Sequence, residues 1–128
     1  MKIEHIKQIK GIKANGQYSP AVVHNGIVYL SGQFAIDPET GERRFGTVAE
    51  EADQVIRNIG VILNEAGSGL DRVLKCCVYI KNIEDWDAVN AVYAKYFPDD
   101  CPARTVITAK DLHFGFKVEM DVIAAKDV

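Results

Sequence analysis

The feature that most constrains this chain lies between residues 47 and 67. Val48, Ala52, Val55, Ile56, Ile59, Ile62, Leu63 and Ala66 recur in steps of three and four, which puts them on one face of an α-helix. Thr47 followed by Glu50 forms a capping box at its start, and Gly67 is a stop at its end. A helix with one wholly apolar face needs a layer to lie on. The flanking segments supply strands. "SPAVVHNGIVYLSGQFAID" holds two β-branched runs around "HNG", a hairpin turn with asparagine and glycine where positive φ is required. "DPETGE", Asp37 to Glu42, is a second turn, and "VLKCCVYI", Val73 to Ile80, is a strand. Asn82 is placed to cap a second helix whose buried stripe is Trp86, Val89, Tyr93, Tyr96 and Phe97, with Pro98 helping to end it. "ARTVITA" and "KVEMDVIAA" close the chain. The order ββαβαββ, with a further N-terminal strand expected around Ile3 to Ile9, predicts an α+β fold: a mixed β-sheet with two helices packed on one face.

Composition narrows what such a fold does. At 128 residues the whole of 1–128 reads as one domain around one core. A hydrophobic fraction of 48% is ordinary, no apolar run is long enough to cross a bilayer, and "MKIEHIKQIK" mixes charge with every apolar residue, unlike a signal peptide. A formal charge of -3 gives no electrostatic footprint for phosphate backbones, so nucleic acid is a poor partner. Cys76, Cys77 and Cys101 are odd in number without C-x-x-C spacing, and are read as reduced thiols of a cytoplasmic protein. His5, His24 and His113 are scattered, so no metal site is expected.

Strand alternation sorts side chains into two faces. Val118, Met120, Val122 and Ala124 form an apolar row that should meet the helices, leaving Lys117, Glu119, Asp121 and Ile123 on the other face. In the preceding strand Thr105 and Ile107 share one face, and Arg104, Val106 and Thr108 the other. With Ile107 taken to face the helices, Arg104 and Glu119 lie together on the uncovered side, beside Val106, Ile123, Val73, Cys77 and Tyr79. A half-apolar second face with no third helix calls for cover, and another copy of the chain is the expected cover. Arg104 keeps its charge and presents a planar fork of donors, so near such an interface it needs an anion.

"GQYSP", "YLSGQFAIDPETG", "VNAVYAKYF", "CPARTVI" and "KVEMDVIA", in this order and spacing, resemble the RidA/YjgF family of enamine and imine deaminases over nearly the whole chain. The resemblance implies a YjgF-like, chorismate-mutase-like homotrimer with clefts at subunit interfaces. It implies hydrolysis of reactive enamines and imines, such as 2-aminoacrylate, to 2-keto acids and ammonia, with no cofactor. Position by position, it gives Arg104 the substrate carboxylate and Glu119 the attacking water. Tyr18, Ser31, Gly32, Trp86 and Asn90 are then the cleft residues around the substrate.

Val106 stands where some members carry a cysteine, Pro20 replaces the usual glutamine after Y-S, and His113 and Phe114 replace a proline and a basic residue. These departures bear on substrate choice. Other readings stay open at this level. Arg104 and Glu119 also fit an interfacial ion pair, Asn90 a core amide bonded to backbone, Trp86 core packing, and Tyr18, Ser31 and Gly32 ordinary turn and strand positions. Cys76 reads as inert core on a row with Leu74, Val78 and Ile80, and His113 as a rim residue. A trimeric carboxylate binder with a regulatory role would use the same arginine pocket without turnover. A ribonuclease or translation inhibitor is the further alternative, which the acidic balance disfavours.

Overall fold

A computed structural model of the chain describes residues 2–126. Along them run β1 (Glu4–Ile6), β2 (Gln8–Ile9), β3 (Ile12–Lys13), β4 (Ala21–His24), β5 (Ile27–Leu30), α1 (Val48–Glu65), β6 (Val73–Ile80), α2 (Trp86–Tyr96), β7 (Ala103–Thr108) and β8 (Val118–Ala125). Six strands form one mixed sheet in the order β1-β4-β5-β8-β6-β7, in which β6 and β7 are parallel and the other neighbours antiparallel. The fold is α+β as expected. The N-terminal strand resolves into β1 at the sheet edge and a separate β2–β3 hairpin.

Local chemistry fixes the elements. Asn25 and Gly26 take φ of 51° and 75° between β4 and β5, as a two-residue hairpin of the twist-compatible type requires. In α1 the Thr47 side chain accepts from the Glu50 N–H while Glu50 reaches back to the Thr47 N–H. Gly67, at φ +83°, ends the helix: its N–H meets the Asn64 carbonyl and that of Ser68 the Leu63 carbonyl, closing two carbonyls that would otherwise be orphaned. Ile56, Ile59, Ile62 and Leu63 are sealed against the sheet, each contributing roughly 1.5–3 kcal/mol. Two polar residues share that buried stripe. Glu51, fully buried, accepts from the Lys117 backbone N–H at 2.8 Å and its Nζ at 3.3 Å, which ties α1 to the entrance of β8. Asn58 donates to the carbonyls of Phe34 and Ile36.

The second helix departs from expectation at its start. Asn82 makes no side-chain cap; a one-turn 3-10 segment, Ile83–Asp85, intervenes and α2 begins at Trp86. Val89, Tyr93 and Phe97 are buried as the stripe predicts, joined by Val92, whereas Trp86 is exposed. Phe97 precedes Pro98 and leaves the helical region with ψ of 66°, the effect of the proline ring on the residue before it.

One face assignment is overturned. In the parallel β6–β7 register Arg104 is opposite Cys76 and Val106 opposite Val78. Cys76 and Val78 are buried, paired with Val122 and Met120. Arg104 and Val106 therefore face the helices, and Thr105 and Ile107 the open side. The apolar look of Ile107 misled: on an edge strand it is 46% exposed. A register shift between Val73 and Lys75 likewise turns Val73 into the core opposite Ala124 and leaves Leu74 exposed, so Leu74 does not share the Cys76 row. Cys77, Tyr79, Glu119, Asp121 and Ile123 lie on the open face as expected, all half-buried.

Candidate active site

The predicted site residues fall into two groups, one on each side of the sheet. The first begins where β5 leaves β8. Tyr29 pairs with Ile123, but the next contact joins Gln33 to Met120. Three residues, Leu30 to Gly32, thus oppose two, Asp121 and Val122. The extra residue bulges the chain outward, the usual result of two-against-one pairing, and the ladder resumes through Gln33 N–H to Met120 O at 2.8 Å. Gly32 is thereby set directly over the Glu119 side chain. A Cβ at position 32 would lie 2.0 Å from Glu119 Oε2, so only glycine leaves the carboxylate where it is.

Glu119 is half-buried on this open face, and among the described residues nothing donates a hydrogen bond to its carboxylate. Burial, followed by the negative charge of Asp121, raises its pKa above the ordinary glutamate value; both effects disfavour the charged form. Asp121 accepts from the Tyr79 hydroxyl at 3.0 Å, and burial together with that bond pushes the phenol up to about 12. Around Glu119 opens a cleft of about 590 Å³ bordered by Tyr18, Ser31, Gly32, Phe34 and Phe114. Ser31 Oγ donates to Ser19 O at 2.7 Å, so its proton is committed and the hydroxyl can act only as an acceptor toward anything else. Tyr18, 48% exposed, donates to Asn15 Oδ1 at 3.0 Å.

The second group sits between the edge strand β7 and α2. Arg104 Nη1 donates to Asn90 Oδ1 at 2.8 Å, and its Cζ lies 5.3 Å from the Trp86 ring centroid and 4.7 Å from that of Tyr93. Trp86, Asn90 and Tyr93 are spaced by four and three residues, so one face of α2 holds the guanidinium by one amide and two π-faces. Among the described residues no carboxylate comes within ion-pair distance of Arg104. The remaining donors of its fork are uncommitted to any acid. Asn90 is thus not a core amide bonded to backbone, and Trp86 is a rim residue over the arginine rather than core. Beneath them Cys76 is buried, and burial pushes its thiol up to about 12. Tyr93 Oη is buried beside the Cys76 thiol, with no nitrogen or oxygen partner among the described residues, and burial raises its pKa as well.

The structure therefore brings Tyr18, Ser31, Gly32 and Glu119 together, and brings Arg104, Asn90 and Trp86 together. It does not bring Arg104 to Glu119 within one chain. Tyr93, Phe34, Phe114 and Asn58 were missed as site residues. Tyr93 was legible from its spacing to Asn90, and Asn58 from being a polar residue on the buried face of α1. Among the described residues no three His, Cys, Asp or Glu side chains gather as a metal site, and no helix is long and apolar enough to cross a membrane.

An unpartnered carboxylate under a glycine and a carboxylate-free arginine in an aromatic clasp are the two charged groups that this α+β scaffold leaves open, one on each side of the sheet. The chain belongs to the RidA/YjgF family: residues 8–126 match the family described as Endoribonuclease L-PSP. It is 40% identical over 118 residues to a RutC family protein of Pyrococcus abyssi, covering 92% of this chain and 93% of that one. It is 38% identical over 119 residues to the 2-iminobutanoate/2-iminopropanoate deaminase of Homo sapiens, covering 93% and 87%. The crystal structure of RidA from an Antarctic Psychrobacter matches with a TM-score of 0.89 at 35% identity, over 95% of this chain and 98% of that one.

Proposed function

We propose that the protein hydrolyses reactive 2-enamino and 2-imino acids, such as 2-aminoacrylate and its tautomer 2-iminopropanoate, to 2-keto acids and ammonia. The observation that carries this reading is the half-buried, unpartnered Glu119 carboxylate beneath Gly32. Water adds to the imine carbon once the imine nitrogen is protonated, and loses a proton as it adds. A carboxylate with raised basicity in a cleft accepts that proton and returns it to nitrogen as the C–N bond breaks. The products balance: imino acid plus water gives keto acid plus ammonia. No group beyond water and the side chains is needed.

The substrate's carboxylate needs its own partner, and the Arg104 fork is of the type that binds a planar anion through two bonds. Arg104 and Glu119 face opposite sides of one sheet, so the reading requires Arg104 to come from a second copy. The open face supports association. Tyr29, Leu74 and Ile107 are exposed there beside half-buried Cys77 and Ile123, a surface that a second copy would cover. We take the assembly to be a cytoplasmic homotrimer of one-domain chains, with a site at each subunit interface.

The test is a coupled assay. A pyridoxal-phosphate dehydratase generates 2-aminoacrylate, and keto-acid appearance is followed with and without this protein. Acceleration above the spontaneous rate supports the proposal. Tight binding of keto acids without acceleration would replace it with a regulatory carboxylate binder.

A further inference from the structure

Beyond Glu119 the cleft has polar lining at Asn15, Gln33, Asn58 and His113 and one apolar wall, and that wall bears on the substrate's side chain. The imine carbon is planar with three substituents. In the proposed pose the carboxylate goes to the second copy's Arg104 and water attacks one face from Glu119, which leaves the third substituent, the side chain, to the walls that this chain supplies. There it meets Phe34, Phe114, Ile12, Ile36 and Pro38. In the single chain the cleft measures about 590 Å³, the size class of small-molecule sites; a second copy that brings Arg104 closes part of it, and the apolar wall belongs to this chain.

Phe114 is built into this wall under constraint. Its φ is +60°, a left-handed conformation that a bulky residue adopts only when its surroundings impose it. The guanidinium of Arg43 lies 3.8 Å from its ring centroid, and Phe34 meets it edge-on at 6.4 Å. Phe34 in turn stacks on the fully buried Phe116 at 5.1 Å. The ring is thus fixed to the core. Ile12 enters from the β2–β3 hairpin, which is docked so closely that a Cβ on Gly11 would lie 2.1 Å from Pro38 O.

We propose that the cleft selects 2-imino acids with a large apolar or aromatic side chain, derived from amino acids of the leucine or phenylalanine type, over the three-carbon imino acid. Phe34, Phe114 and Ile12 are its specificity residues. This rests on the deaminase reading above and names its substrate class. One added methylene in an apolar pocket changes discrimination by about 10–200-fold, so the preference is large enough to measure.

Two readouts separate the selectivity from the reaction. Imino acids made in situ by an amino acid oxidase from L-alanine, L-leucine and L-phenylalanine are followed by semicarbazide trapping. The leucine- and phenylalanine-derived imines are expected to show kcat/KM at least about tenfold above the alanine-derived one. Independently, calorimetry is expected to show phenylpyruvate binding at least about tenfold tighter than pyruvate. Phe114→Gly removes the ring while suiting the positive φ, and Ile12→Ala opens the wall from the separate hairpin; each should collapse both ratios toward one. Equal handling of the alanine-derived imine, with equal binding of the two keto acids, overturns the inference and leaves the deaminase reading standing. Ratios unchanged in both folded variants overturn the residue assignment. Failure to hydrolyse any of the three imines, while keto acids still bind, overturns the deaminase reading itself.

Discussion

The two halves of the site are built on opposite principles. Arg104 is held: a hydrogen bond to the Asn90 side-chain oxygen and two aromatic faces fix a charge that no acid among the described residues neutralises. Glu119 is isolated: a glycine clears the space above it, and burial and Asp121 raise its pKa with nothing among the described residues donating to it. A group that must grip a fixed anion gains from rigidity, whereas a group that must exchange a proton gains from being poorly stabilised as an ion. The difference supports the division of roles proposed above.

The comparison breaks most sharply at the two charges. Glu119→Gln is expected to slow turnover by about two to four orders of magnitude while keto-acid binding persists, since an amide cannot accept the water's proton. Arg104→Ala should do the reverse, weakening keto-acid binding by about two orders of magnitude or more by removing the anion's charged partner. Arg104→Lys should recover little of it, because a point charge lacks the fork. If both substitutions cut binding equally, the division of labour is wrong.

Gly32→Ala sharpens it next. The new Cβ would displace the Glu119 carboxylate, and a displacement near 1 Å costs roughly 10²-fold in rate, with little change expected in the apparent affinity for keto acids. Asn90→Ala should act on the other half, raising KM by about tenfold through loss of one charge-assisted hydrogen bond, with kcat nearly retained. The pH dependence is smaller but diagnostic. A base with a raised pKa makes the acid limb of kcat/KM fall at higher pH than an ordinary glutamate would. Linkage has a definite sign as well. Because the folded state holds this proton more tightly than the unfolded chain, its contribution to stability is full below the ordinary carboxylate range and is lost as pH rises through the folded-state pKa. Glu119→Gln should therefore melt slightly higher than wild type at pH 7, with the gap closing in acid. The least effect is expected at the cysteines. With Cys76 buried and its thiol pushed up to about 12, conversion of Cys76, Cys77 and Cys101 to Ala or Ser should leave turnover intact below the melting temperature.

Most of the fold was legible because local and global signals agree. The capping box, the αL glycine and the Asn25–Gly26 turn each specify backbone geometry from a few adjacent residues, and β8 alternates cleanly between core and open face. The placement of Arg104 and Glu119 on opposite faces was not legible. It depended on the face of β7, an edge strand where Ile107 and Val106 are both apolar and alternation cannot choose between them; the register with β6 decides. The bulge at Val73 that exposes Leu74 hides for the same reason, since one inserted residue leaves no trace in composition. The candidate residues could be named individually from the sequence, while their division between two faces required the sheet.

That division makes the central claim directly testable by subunit mixing. Arg104→Ala and Glu119→Gln chains, each inactive alone, are co-refolded at equal ratio and assayed for imine hydrolysis. If each site takes Arg104 from one copy and Glu119 from another, random assembly leaves about one quarter of sites with both wild-type groups, and activity should return to about that fraction of wild type. If both groups act from the same chain, no mixed assembly contains an intact site. Absence of recovery from a mixture shown to have exchanged subunits would contradict the account.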